Sequence, residues 1–497
     1  MTYTQPQKNR AREELLTHAV TILTEKRSQA PCVRTSYIRD LKRYFISEEE
    51  TPNCVESSRI DNRYICEWEK MHRSTVGQKS PEDLKVCYLS GPEPMNDFKV
   101  LADLGVRPQN IWAFESSNQQ FSEALTQCCG AGFDQPKLIK MKIEKFLESV
   151  PISFDIVYLD FCSSFISSRM SLRCVADVFR FHRLTSPGVL ITNFCEADEK
   201  RICDYAEVFA RYELAKQISK NHANKFGKDE FSKFIHTAED ELKKKADFDS
   251  CYSDFITDFI CNMASVIIPA QKTVDPALIS FLSDCPITDC AKTAESVVEA
   301  ESDALLRFLL SCSGSLQNSP LNCNNTISQR LNNDLKGSSK HSALQGLQYC
   351  NALRTGLIPH KKEIDEIAKK FSATHRFLDK PCKSLYLDFA IRQLTYPMHS
   401  NPLSSIRLSY IAKSKRMFAD AIVFDECRYV YDWFPAAMQG SAPLENVSWF
   451  YVFRFALDGL IKCRLETNTD YFFQGSVVGK TIEGFESSNF ADRIFIS

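Results

Sequence analysis

No run of uncharged apolar residues in the chain approaches the roughly 18 that a membrane-spanning helix needs, so none is expected. The opening residues, MTYTQPQKNRAREELL, are charged where an export signal needs an apolar stretch, and the expected location is therefore cytoplasmic. Charge of one sign is not in excess either. Lys and Arg total 61 against 63 Asp and Glu, a net charge of −2, so the whole chain carries no electrostatic signature of a dedicated nucleic-acid binder. No Cys-x-x-Cys pair occurs. The nearest approach, Cys285 and Cys290 in CPITDC, has no matching second pair, and no metal site is expected. The twenty cysteines are instead expected to be reduced thiols, most of them small buried hydrophobes. No Gly-x-x-x-x-Gly-Lys-Ser/Thr loop is present to cradle a triphosphate, which speaks against nucleotide hydrolysis.

With 44% hydrophobic and 25% charged residues the chain has the composition of a globular protein, and 497 residues suggest two or three domains. Residues 1–84 read as a helical segment. In REELLTHAVTILTEK, Leu15, Leu16, Ala19, Ile22 and Leu23 recur at helical spacing. In TSYIRDLKRYFI, Arg39, Lys42 and Arg43 line one side, as a solvated face or a substrate-binding patch. Over 85–200 short apolar runs alternate with helical segments, the pattern of a parallel sheet with crossover helices. Residues 201–310 return to helix. Residues 311–342, rich in Ser and Asn, read as a linker or long loop. Residues 343–497 are aromatic-rich and read as α+β.

Within 85–200 the elements follow in order. KVCYLSG is a strand ending in a turn at Gly91; DFKVLADLG is a helix with Asn96 as the expected N-cap. NIWAFES is a strand ending on Glu115, followed by Ser117 and Gln120 at capping-box spacing and a helix with Phe121, Ala124, Leu125 and Cys128 on one face. KLIKM, FDIVYLDF and SPGVLITNF supply three further strands, the second closed by Asp160. In an open parallel sheet, ligands sit beyond the carboxyl ends of the strands, at the point where strand order reverses. A glycine in the first turn lets the backbone approach a cofactor, and an acid ending the second strand can accept hydrogen bonds from both ribose hydroxyls. Gly91 and Glu115 hold those places, at a separation near the usual ~20 residues. Read alone, Gly91 is also an ordinary turn glycine and Glu115 also a plain strand-end surface charge, the site reading being favoured for Glu115. An acid closing a run as apolar as IVYL is costly unless it is solvated in a cleft or paired, so Asp160 reads as a site residue.

This arrangement resembles the class I S-adenosylmethionine-dependent methyltransferase superfamily, across roughly 110 of the 497 residues. The resemblance implies an α/β fold: a Rossmann-like doubly wound sheet, here with a helical N-terminal segment, a helical insertion and an α+β C-terminal part. It implies S-adenosylmethionine as cofactor, with Gly91, Glu93, Asp97, Glu115 and Asp160 as binding residues. The chain departs from the family at the first turn, SGPEPMND, where one glycine replaces Gly-x-Gly and Leu89 stands where an acid is usual; Glu93 or Asp97 would then substitute. The family's sheet closes with antiparallel strands, for which SIRLSYIA and FADAIVFD are the candidates.

Methyl transfer to a macromolecule, nucleic acid or protein, is the expected function, given how much chain surrounds the core. Asp160 and Ser163 are the first candidates for handling the acceptor. Phe161, Phe165 and Phe194 are candidates to line a base pocket, or core aromatics. Cys162 and Cys195, each at a strand's carboxyl end, resemble the two cysteines of RNA cytosine-5 methyltransferases, one attacking the base and one assisting product release. The Gly188-to-Cys195 spacing matches that family, whereas Asp160-Phe161-Cys162 is one residue short of its Asp-x-Pro-Cys turn. The stretch 396–435 interleaves His399, Asn401, Arg407, Lys413, Lys415, Arg416 and Arg428 with aromatics, suiting single-stranded nucleic acid or an ordinary hairpin. The competing expectation is a Rossmann-like module without catalysis, serving binding or assembly.

Overall fold

The computed structural model describes residues 5–48, 52–130, 135–165, 169–198, scattered positions from 202 to 242, and 245–269, 395–433, 446–463, 477–479 and 482–497. The linker expected at 311–342 lies outside the described residues. The elements that concern the site begin with four helices: α1 (Pro6–Leu23), α2 (Tyr37–Ser47), α3 (Pro52–Ser58) and α4 (Asn62–Val76). Alternation follows: β1 (Val86–Leu89), α5 (Met95–Asp103), β2 (Ile111–Glu115), α6 (Asn118–Gly130), β3 (Lys137–Lys140), α7 (Ile143–Ser149), β4 (Phe154–Ser164), α8 (Arg169–Arg180) and β5 (Leu184–Cys195). Helix α9 (Lys245–Asn262), strands β6 (His399–Ala412) and β7 (Lys415–Asp425), helix α10 (Val447–Lys462) and strand β8 (Ile494–Phe495) complete them.

The strands form one sheet in the order β3-β2-β1-β4-β5-β7-β6-β8. Strands β1 to β5 are parallel, β7 runs antiparallel to both β5 and β6, and β8 adds to β6 in parallel. The fold is thus α/β and Rossmann-like, with the order reversing between β1 and β4. The period of two along each strand sends side chains to opposite faces. Cys87, Val157 and Leu159 join a core with α7, α8 and α9. Val86, Tyr88, Ile156 and Tyr158 join a second core under α1 and α5. Both faces are covered, which is why β4 reads as a continuous apolar run.

A third core lies apart from the sheet's two faces, where α2 and α4 pack on α10. Helix α10 is buried on every side, and Tyr37 Oη donates to Asp458 Oδ2 at 2.5 Å across this contact. Two of the three cations on the basic side of α2 are held within this unit, while Arg43 stays exposed. Arg39 Nε pairs with Glu69 at 2.9 Å, and Lys42 Nζ donates to Ile60 O at 2.7 Å.

Two local expectations need correction. Helix α5 starts at Met95 with Pro94 as its N-cap, and Asn96 lies in the first turn, donating from Nδ2 to Glu93 Oε2 at 2.8 Å. On α6 only Ala124 and Cys128 are buried, while Leu125 is 46% exposed, because the helix flanks β3 at the sheet edge, where little is available to cover it.

Gly459 marks the closest approach in the third core. A Cβ there would sit 2.7 Å from Val33 Cγ1 and 3.0 Å from Tyr37 Cδ1. Alanine in place of a mid-helix glycine ordinarily gains about 0.5–1 kcal/mol, and overpacking costs about 1–3 kcal/mol. Gly459→Ala is therefore expected to destabilise by about 1–2 kcal/mol in denaturant unfolding. A stabilised variant would show that α10 and α2 are not in close contact.

Candidate functional site

The carboxyl ends of β1, β2 and β4 open into a cleft of about 600 Å³, in the usual size range for a small-molecule site. Three segments of the sheet build its floor. After β1, Ser90 N donates to Phe114 O at 3.0 Å, binding the turn to β2, and Gly91 then adopts φ +56°, a left-handed conformation that favours glycine. Nothing lies within 4 Å of where its Cβ would be, so the turn faces open space. Tyr88 Oη anchors the far side of the turn by donating to Pro94 O at 2.6 Å.

Glu115, half-buried at the end of β2, accepts from Ser117 N through Oε1 at 2.6 Å. Ser117 Oγ in turn accepts from Gln120 N at 3.4 Å, capping α6. One oxygen of Glu115 is therefore committed to the turn, and the other has no hydrogen-bond partner among the described residues.

Asp160, in the carboxyl-terminal half of β4, is held from both sides. Oδ1 accepts from Asn193 Nδ2 at 2.6 Å, and Oδ2 pairs with Lys8 Nζ at 2.7 Å. Asn193 also donates to Tyr410 Oη at 2.7 Å, so β4, β5 and β6 are linked behind the carboxylate. Asp97, from the first turn of α5, is 5% exposed and pairs with Arg12 Nε at 2.7 Å. Burial pushes its carboxyl up to about 6, although Arg12 opposes this; Asp160 nearby adds to the rise. Burial acts against the charge of Arg12 too, but Asp97, Tyr158 and Asp160 outweigh it and hold the guanidinium above its ordinary value.

Lys8 and Arg12 are the site residues that sequence reasoning missed. They stand at i, i+4 spacing on one face of α1, the only local signal available. What they meet is remote in sequence. Glu144, 8% exposed and in contact with the Cys174 thiol at 3.6 Å, was also missed; it lines the opposite wall with Met141, Ile143 and Met170.

Gly91, Glu93, Asp97, Glu115, Asp160, Cys162 and Ser163 all line this one cleft. Cys162 is exposed there, and Ser163 Oγ lies 3.4 Å from Ser171 Oγ. Cys195 is not among the lining residues. It is 5% exposed at the end of β5, opposite Met417, and burial pushes its thiol up. Of the three candidate pocket aromatics only Phe161 reaches the cleft; Phe165 and Phe194 are fully buried and pack on one another edge to face at 4.9 Å.

The stretch 396–435 divides in two. Arg407 pairs with Asp254 at 2.8 Å, Asn401 Nδ2 donates to Ala30 O and Pro31 O, and Arg428 sits over the Tyr396 ring at 4.2 Å. These groups are committed to the fold. Lys413, Lys415 and Arg416, at the β6–β7 turn, are exposed, and Lys413 lines the cleft.

No family model matches the chain, and no curated protein matches it in sequence. Among solved structures, an S-adenosylmethionine-dependent methyltransferase from Clostridium acetobutylicum is similar to 29% of this chain at 17% identity and a TM-score of 0.18. The matched part spans 54% of that protein's length. A putative caffeoyl-CoA O-methyltransferase from Staphylococcus aureus is similar to 43% of this chain and 90% of its own, at 11% identity and a TM-score of 0.18. At those scores neither bears on activity, and the fold rests on the strand order itself.

Burial of Asp97 has a consequence for pH. A carboxyl whose pKa is raised by folding binds its proton more tightly in the folded chain. Its contribution is complete below the ordinary value of 3.8 and is lost as pH rises through about 6. Relative to Asp97→Asn, the wild-type protein should gain thermal stability as pH falls from about 7 to about 4. Parallel curves for the two proteins would show that folding does not shift this carboxyl.

Proposed function

We propose that the protein is an S-adenosylmethionine-dependent methyltransferase acting on a macromolecule. The observation that carries this reading is the convergence of the Gly91 turn, Glu115 and Asp160 on one cleft at the reversal of strand order, the general location of ligands in such sheets. The donor set suits this cofactor in charge. An adenosyl amino acid bearing an ammonium, a carboxylate and a sulfonium needs both signs, and the cleft offers Asp97 and Asp160 beside Arg12 and Lys8.

In this reading the unpartnered oxygen of Glu115 accepts from the ribose, while Met141 and Ile143 cover the base. The open space at Gly91 admits the amino-acid end. Bound cofactor supplies an electrophilic methyl group; the protein orients the acceptor and takes up its proton. Asp160, fixed by Asn193, is the proton acceptor, with Ser163 and Cys162 at its side. A route through two thiols would need Cys195 in the cleft, so the reading rests on Asp160 and Ser163. Lys413 at the cleft, with exposed Lys415 and Arg416 on the same β6–β7 turn, favours a polyanionic substrate, with nucleic acid ahead of protein.

Calorimetric titration with S-adenosylmethionine is the test. One-to-one binding is expected, weakened by about 1.5–3 kcal/mol in Glu115→Ala, the range for losing a hydrogen bond to a charged group. Absence of binding to folded wild-type protein would refute the assignment.

A further inference from the structure

The cysteines of this chain are not all solitary. Cys87, on β1, is pushed up by burial alone, with no titratable neighbour, as expected of a thiol serving as a small hydrophobe. Cys32, Cys427 and Cys463 are different. They come from the loop after α1, the turn after β7 and the end of α10, and they meet in the interior at 8%, 0% and 5% exposure. The Cys32 thiol lies within electrostatic reach of both of the others while donating to His399 O and Ser400 O, and the Cys463 thiol donates to Cys32 O at 2.7 Å. The sulfurs of Cys32 and Cys427 and a carboxylate oxygen of Asp425 all lie within 4.8 Å of one another. Among the described residues this is the one group of three so placed.

The backbone is bent to make the cluster. Cys427 adopts φ +50°, a conformation uncommon for a residue with a side chain and one that surrounding structure must hold in place. Asp425 does much of that holding. It accepts from Cys32 N at 3.0 Å and Tyr429 Oη at 2.5 Å through Oδ2, and from Cys427 N at 2.9 Å and Ser186 Oγ at 3.0 Å through Oδ1. A buried cation, Arg27, donates to Val76 O and Leu23 O and lies within electrostatic reach of Asp155 and of the same Asp425 carboxylate.

We propose that Cys32, Cys427 and Cys463, with Asp425 in the fourth position, form a structural zinc site. Cys32, Asp425 and Cys427 already lie together, and Cys463, whose thiol donates to Cys32 O at 2.7 Å, reaches the fourth position by turning its side chain; three sulfurs and one oxygen would then close the coordination sphere and leave no position for substrate. On binding, three S–H protons leave for solvent and three sulfur–zinc bonds form, without change of oxidation state. The Asp425 oxygen is freed for the metal by moving one donor. Tyr429 Oη, already 3.7 Å from Cys427 Sγ, turns from the carboxylate to the thiolate, while the backbone N–H groups keep the carboxylate oriented. Arg27 offsets part of the negative charge. The site would tie the N-terminal loop to the end of the sheet and to α10, far from the cleft in role. The spacing rule for zinc ligands could not find it, because the thiols are dispersed along the chain and converge only on folding.

The full-length protein purified without chelator should contain close to one zinc per chain by plasma mass spectrometry. Its zinc-edge X-ray absorption should fit about three sulfurs near 2.3 Å and one oxygen near 2.0–2.2 Å. Cys427→Ser and Cys463→Ser should each lose most of the metal. Protein that is folded but zinc-free after growth in zinc-replete medium, a nitrogen-rich coordination shell, or full zinc retention in both variants would overturn the proposal. The absorption spectrum decides on wild-type protein, even where a variant fails to fold.

Discussion

Two cations on one face of the first helix meet two acids at the end of the sheet. Lys8 reaches Asp160 and Arg12 reaches Asp97, both at 2.7 Å, and that contact sets the charge on one side of the cleft. Without it, Asp97 would be an isolated carboxylate at 5% exposure, which the interior does not tolerate without partner or proton. The pairing explains how a turn with one glycine and no acid at Leu89 can still present charge. An acid stands on the helix behind the strand, and a cation from outside the sheet offsets part of the cost of burying it. It also explains why the N-terminal segment belongs to the site. Helix α1 lies over β5, β6 and β7 as well as α5, so the same helix that seals one face of the sheet delivers charge to its carboxyl edge.

The parts legible in the sequence were those governed by local periodicity. Strands β1 to β5 and the helices between them announce themselves as apolar runs and amphipathic turns, because a parallel sheet covered on both faces needs them. Gly91, Glu115 and Asp160 were picked out for the same reason: each lies in or just past the carboxyl-terminal part of a strand, which is located once its apolar run is seen. What escaped was nonlocal. Nothing near Lys8 or Arg12 in sequence names Asp160 or Asp97 as partner. The basic stretch near Arg407 looked like a binding surface because its acidic partner, Asp254, lies on α9, remote in the chain. Cys195 looked like a site residue by its distance from Gly188, yet the end of β5 carries it into the core beside Tyr410 and Met417.

The third core, of α2, α4 and α10, stands to the sheet as a brace. Its links to the sheet pass through Asp425 and Tyr429, where Trp68 Nε1 donates to Tyr429 O at 2.8 Å and Val33 N donates to Tyr429 Oη at 3.1 Å. The thiol cluster sits at this joint, where three distant segments must be held in register. The cleft lies at the opposite, carboxyl end of β4 and β5, near the β6–β7 turn. Rigidity at one end of the sheet and charged, solvent-open groups at the other is the division of labour expected when a scaffold positions a site.

The proposed function requires the Gly91 turn, Glu115 and Asp160 to form an adenosyl-cofactor site completed by α1. The most direct test is a structure determined with S-adenosylhomocysteine, the product form of the cofactor. The ligand is expected in the cleft, its ribose hydroxyls on Glu115 and its amino-acid end between Gly91 and the Arg12–Asp97 pair. A cleft that stays empty at saturating ligand, or a ligand bound elsewhere on the chain, would contradict it.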